Sequence, residues 1–190
     1  MSYLTLALCL ILTGALFIKR SFLVKKARLF AWISVASTFA LSFVFTFIQY
    51  QVWMADPKMK FVFNTAAGYY KFFFNAFMKF FAPHLLSLAF ALVLFIAMKI
   101  ANKRSGEKFF EKEEIWFAFI ASFLSGFPGF LIFFPVLIFI YLVSQIVIVI
   151  IKKRSERIPL YYLWLPAAAF VIIISELILS HMPFWKLIIV

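Results

Sequence analysis

Between Ile115 and Ile151 the chain runs for 37 residues without a single Asp, Glu, Lys or Arg. As one helix, at about 1.5 Å per residue, this run would be roughly 55 Å long, nearly twice the ~30 Å hydrocarbon core of a bilayer. It is too apolar for water and too long for a single crossing, so it must fold into two legs. Ser125-Gly126-Phe127-Pro128-Gly129 supplies the turn residues, and Pro135 is a second position. A turn near 127 leaves a short first leg. That leg therefore starts in the preceding polar segment and carries Glu113 and Glu114 to the membrane boundary.

The rest of the chain agrees. Of its 190 residues 66% are hydrophobic and 14% charged, against about 45–50% and about 25% in a soluble domain. A globule of this size must cover itself with polar surface, so a soluble enzyme is excluded. A disordered chain is excluded by the hydrophobicity. The expected fold class is all-α, a polytopic transmembrane helical bundle of about six spans plus one interfacial amphipathic helix. It forms a single integral membrane domain over 1–190, with the lipid bilayer as its first partner. The net charge of +12, from 19 Lys+Arg against 7 Asp+Glu, is read as topology and lipid contact, with no nucleic acid as partner. The single cysteine, Cys9, allows neither an intrachain disulfide nor a cysteine zinc site.

Charge clusters divide the chain into expected spans at 3–18, 29–54, 85–100, 113–126, 130–151 and 158–179. For 3–18 a cleaved signal peptide is the competing reading. Against it, the positive charges follow the run, and no A-x-A-like site appears. In 61–83 the polar residues Asn64, Gly68, Lys71, Asn75 and Lys79 fall on one helical face, and nearly everything else is aromatic, Ala or Met. A helix lying in the headgroup region is preferred there over a span that buries two lysines. The loops 19–28, 101–114 and 152–157 hold 5, 4 and 4 of the basic residues. The positive-inside rule puts these loops in the cytoplasm and both termini outside. Residues 180–190 form an interfacial tail.

Charged groups in or at the edge of a bilayer are the first candidates for function. Glu111, Glu113 and Glu114 stand just before the two-legged run, where they also suit the first turn of a helix. Glu176, deep in the last expected span, is an interfacial carboxylate near His181 and Lys186 or part of a substrate mouth. His84 and His181 have no third ligand at a suitable spacing, so no metal site is expected. Ser144-Gln145 reads as interhelical hydrogen bonding, with no base near it in sequence. No phosphate loop, HExxH or G-x-S-x-G occurs, and no cofactor is expected.

One order of motifs stands out. An acidic-headed short helix leads into Gly126-Phe127-Pro128-Gly129, then a long apolar run and a basic loop, then Ile158-Pro159 with Pro166 close by. From 84 to about 170 this resembles the membrane core of the prepilin peptidases, intramembrane aspartyl proteases with a GxGD motif. The resemblance puts Glu114 where the GxGD aspartate would stand, with Glu113 or Glu111 as the partner acid. It puts Ile158 and Pro159 at the start of the last span, as substrate-binding residues. It implies a prokaryotic cytoplasmic membrane and a pilin-like precursor as partner, cleaved at the cytoplasmic face. The chain also departs from the family pattern. Glu111-Lys112-Glu113-Glu114 has neither glycine, and Trp116 stands where the family has lysine. No acid occurs in 18–28, where the first aspartate belongs, and Asp56 falls on the opposite side. The family's CxxC zinc module is missing. An aspartyl protease needs two carboxylates that share a proton. The expectation is therefore a divergent or catalytically inactive relative that binds pilin-like or other hydrophobic helices. Two alternatives remain: a small six-span solute-binding or transport subunit with Glu176 and His181 at its mouth, and a structural subunit of a larger membrane complex.

Overall fold

Helices in this chain begin and end at its charged clusters and at its Gly-Pro turn. The computed structural model describes residues 2–18, 20–63, 65–106, 110–152 and 159–177. Asn64, Ile158, His181, Lys186 and the expected tail at 180–190 lie outside the described residues. The elements are α1 (Ser2–Ile18), α2 (Arg20–Lys25), α3 (Ala27–Ala55), α4 (Pro57–Phe63), α5 (Ala66–Ala76), a π-helical turn (Phe77–Phe81), α6 (Ala82–Arg104), α7 (Lys112–Leu124), α8 (Phe130–Lys152) and α9 (Tyr161–Leu177). No strand occurs among the described residues. Three helical stretches are long and apolar enough to cross a membrane: Ala27–Ala55, Ala66–Arg104 and Phe130–Ile151. Thr5–Ile18 and Tyr161–Leu177 are shorter apolar helices.

Helix α7 is the centre of the bundle. It packs against α6, α9, α3 and α1, and Phe117 through Leu124 are all buried. A helix apolar all round is stable only when enclosed, and the sequence of α7 is apolar on every side after Glu114. Its partners bring rings to it, with Trp32 of α3 and Phe95 of α6 against Phe119, and Tyr161 of α9 against Phe117, and they also bury small residues. Ala27, Ala31, Ser34, Val35, Thr38 and Ser42 are the buried face of α3, and Ala167, Ala168 and Ala169 are buried in α9. Lipid is as apolar as leucine, so close backbone approach and van der Waals contact hold such helices together.

The expected boundary between a surface helix at 61–83 and a span at 85–100 does not occur. Instead the chain breaks at Thr65, whose hydroxyl oxygen accepts from Gly68 N–H at 3.1 Å and caps α5. From Ala66 the helix runs unbroken for 39 residues to Arg104, about 57 Å, so only about half of it fits a hydrocarbon core. Pro83 has no N–H to donate and its ring crowds the preceding turn. The π-turn at Phe77–Phe81 lies just ahead of it and makes the room. The same turn keeps one stripe buried. Gly68, Phe72, Ala76, Phe80 and His84 recur every four residues. A spacing of four overruns a 3.6-residue turn by about 40° per step, and the wider π-turn takes up part of the drift. Ser42 ties the turn down, donating to Phe80 O at 3.0 Å from α3. Lys71 and Asn75 are exposed, as a polar face requires, and so are Tyr70 and Phe74 beside them.

The helix ends sort into two sets. At one, Phe17 of α1 stacks on Tyr162 of α9 with ring centroids 5.9 Å apart, and Asn102 of α6 bonds Phe110 just ahead of α7. At the other, Thr5, His84, Ser125 and Ser175 line one cleft. Helices α1 and α6 thus run one way and α7 and α9 the other. Lys25, Lys26 and Arg28 around the start of α3, and Lys103, Arg104 and Lys112 around the α6–α7 connection, lie toward one end of the bundle. Helix α8 packs chiefly on α9. Phe133 stacks on Trp164 at 5.9 Å, whereas Ile138, Phe139, Leu142, Ile146 and Ile150 are exposed.

Candidate functional site

The start of α7 is built from a short polar segment that has to turn sharply between two apolar helices. Helix α6 stops at Arg104, and Gly106 takes a positive φ of 65°, where only glycine sits without strain. Asn102, buried at 5% exposure, then clamps the returning chain with both ends of its amide. Its Nδ2 donates to Phe110 O at 2.9 Å, and Phe110 N–H donates to its Oδ1 at 3.1 Å. A buried amide satisfied in both directions fixes the loop as a strand pairing would.

Glu111, Glu113 and Glu114 follow, and the structure gives them different surroundings. Glu111 is exposed, Glu113 half-buried and Glu114 buried at 5% exposure. The Glu114 carboxylate turns back along its own helix, and Oε2 accepts from Glu111 N–H at 3.1 Å. This is the N3 arm of a capping box. The backbone at Leu160 and Tyr161, where α9 begins, also lies within electrostatic reach of this carboxylate. The N–H groups there have no acceptor within their own helix, because the first turn of any helix leaves its donors open. One side chain thus caps α7 and lies beside the start of α9, and its negative charge suits both positive helix ends. Glu111 lies close enough to couple electrostatically to Glu114, but it sits at the exposed N-cap of the same helix.

The other sequence candidates are dispersed. Pro159 is exposed, and its carbonyl accepts from Tyr162 N–H at 3.3 Å in the first turn of α9. Glu176 is half-buried near the end of α9, the far end from Glu114. Asp56 lies between α3 and α4, where its Oδ1 accepts from Lys58 N–H at 2.9 Å and caps α4 beside Pro57. Ser144 and Gln145 are half-buried on α8. No group of three or more His, Cys, Asp or Glu converges among the described residues.

The opposite end of α7 opens into a small polar cleft of about 180 Å³. Thr5, Lys79, His84, Ser125 and Ser175 line it, with the glycines of the turn. The turn itself demands those glycines. Gly126 has a φ of 68°, and a Cβ on Gly129 would run into Ser125 O and reach Val171 Cγ1 at 3.1 Å.

Asn102 and Ser42 were not singled out from the sequence. Asn102 gave a weak signal, as a lone amide at the head of the polar stretch 101–114. Ser42 gave a clearer one, since Ser34, Thr38, Ser42 and Thr46 recur every four residues in an otherwise apolar run. Comparison with family models, with curated proteins and with solved structures finds no match for this chain.

Proposed function

We propose that this chain is a multi-pass integral membrane protein of a prokaryotic cytoplasmic membrane, six-span in plan, with its basic loops in the cytoplasm. In this reading it is a non-catalytic relative of the prepilin peptidase core that binds pilin-like or other hydrophobic helices. The observation that carries the reading is how Glu114 is used. Its carboxylate accepts from the backbone N–H at the head of α7 and lies beside the backbone that begins α9, whereas a catalytic acid pair needs two carboxylates facing a shared water. The nearest coupled acid, Glu111, is exposed on the same helix. The bare apolar length of α8 supports helix binding, because a hydrophobic helix can pack there without displacing anything polar.

The test is co-expression with a pilin-like precursor carrying its leader. The expected result is intact precursor, crosslinked through a photoreactive residue at Ile146, to the same extent for wild type and Glu114→Gln. Leader cleavage that Glu114→Gln abolishes overturns the reading.

A second reading, a small solute-binding or transport subunit, draws on the polar cleft between Thr5, Lys79, His84 and Ser175. It expects a small ligand to raise the unfolding midpoint of the purified protein, and Ser175→Leu to remove that rise. A purely structural subunit expects a stable partner chain on purification and no response to small ligands.

A further inference from the structure

A second cavity lies between α6 and α7, beside the helix start that carries Glu114. It is about 520 Å³ and sits between the last turns of α6 and the first turn of α7. Its lining has two parts. Phe95, Ile115 and Trp116 form an aromatic and aliphatic floor, with the Phe95 and Trp116 rings 4.6 Å apart. Lys99, Lys103 and Lys112 form the rim, and all three are exposed. Lys99 and Lys103 are one turn apart on α6, and Lys112 faces them from α7. Lys99 Nζ stands 4.8 Å from the centre of the Phe95 ring, over the floor. Buried Asn102 closes the end, held in place by its two bonds to Phe110. Among the described residues no acid lines the cavity; the Glu114 carboxylate turns to the Glu111 N–H.

Three ammonium groups around an apolar floor match one chemistry, a phosphate monoanion carrying a hydrocarbon chain. The lysines supply compact point charges for phosphate oxygens. The floor offers an acyl chain the contact that a free phosphate cannot use. The cavity also opens at the basic end of the bundle, the level where an anionic leaflet presents its headgroups. We propose that this cavity is a headgroup site for an anionic phospholipid, with phosphate among Lys99, Lys103 and Lys112 and the first acyl methylenes against Phe95 and Trp116.

The test measures retained lipid by native mass spectrometry on the delipidated full-length protein. It is titrated with phosphatidylglycerol, with phosphatidylcholine and with inorganic phosphate. The expected result is that phosphatidylglycerol is retained and that phosphatidylcholine and inorganic phosphate are not. Replacing all three lysines by Gln weakens retention about 100-fold, on the scale of about tenfold or less per cation near an anionic headgroup. Replacing them by Arg restores it. The control variant Lys25→Gln/Lys26→Gln/Arg28→Gln, at the same end but outside the cavity, retains lipid as wild type does. Equal retention by the Gln variant, or equal loss in the control, overturns the proposal. So does inorganic phosphate that displaces the lipid at millimolar concentration, because the floor then contributes nothing. An Arg variant that retains no more lipid than the Gln variant overturns the proposal as well, and an unchanged unfolding midpoint shows that the Gln variant is folded.

Discussion

A single carboxylate can serve as an acid, an ion-pair partner or a cap, and its neighbours decide which. The buried Glu114 carboxylate accepts the Glu111 N–H and lies beside the start of α9, so its removal leaves the head of α7 uncapped. We expect Glu114→Ala to destabilise the protein by about 1–3 kcal/mol, the cost of orphaning buried polar groups. Glu114→Gln, which keeps one acceptor oxygen, costs less. Unfolding midpoints in a graded denaturing detergent series measure both, and an Ala variant as stable as wild type would remove the capping role. Asn102→Ala opens the loop clamp. Its signature is local: faster hydrogen exchange at the Phe110 amide, with little change at residues 117–124 in the core of α7. Three adjacent acids were visible in the sequence. That only Glu114 turns inward was not, because the start of α9 beside it arrives from 46 residues further along the chain.

At the level of elements, sequence and fold agree where a local residue forces the outcome. The turn between α7 and α8 lies at 125–129 because Gly126 adopts a positive φ and Gly129 packs without room for a Cβ. Gly129→Ala is expected to cost more than 1 kcal/mol through displacement of Ser125 and Val171. Gly14→Ala in α1, where nothing lies within 4 Å of the new methyl, is expected to be neutral or stabilising by up to about 1 kcal/mol. Equal effects of the two substitutions, in the same unfolding assay, would contradict this account of the turn. Pro135, the other proline in the long run, stays inside α8 without ending it. Agreement fails where a helix passes through a proline. Pro83 and the lysines of 61–83 read as a boundary, but the π-turn absorbs Pro83 and joins α5 to α6. A π-turn has no composition of its own; it is stabilised by what it packs on, here Ser42 and the α3 face.

At the scale of the whole molecule, the six-span proposal has a direct test in side-specific labelling. In a Cys9→Ala background, cysteines at Lys25 and Arg104 should react with an impermeant maleimide from the cytoplasmic face, and one at Asp56 from the outside only. Labelling of positions 25 and 104 from opposite faces would overturn the topology. The sequence by itself determined that the chain has helices apolar and long enough to cross a membrane, because a 37-residue uncharged run leaves no polar face to turn to water. It also determined where most helices stop, because charge, glycine and proline act on their own few neighbours. Only the tertiary structure decided which helix lies at the centre, which acid is buried and which lysines share a cavity. Each of those depends on chain segments that are distant in sequence, and hydrophobicity in a chain this apolar ranks no helix face above another.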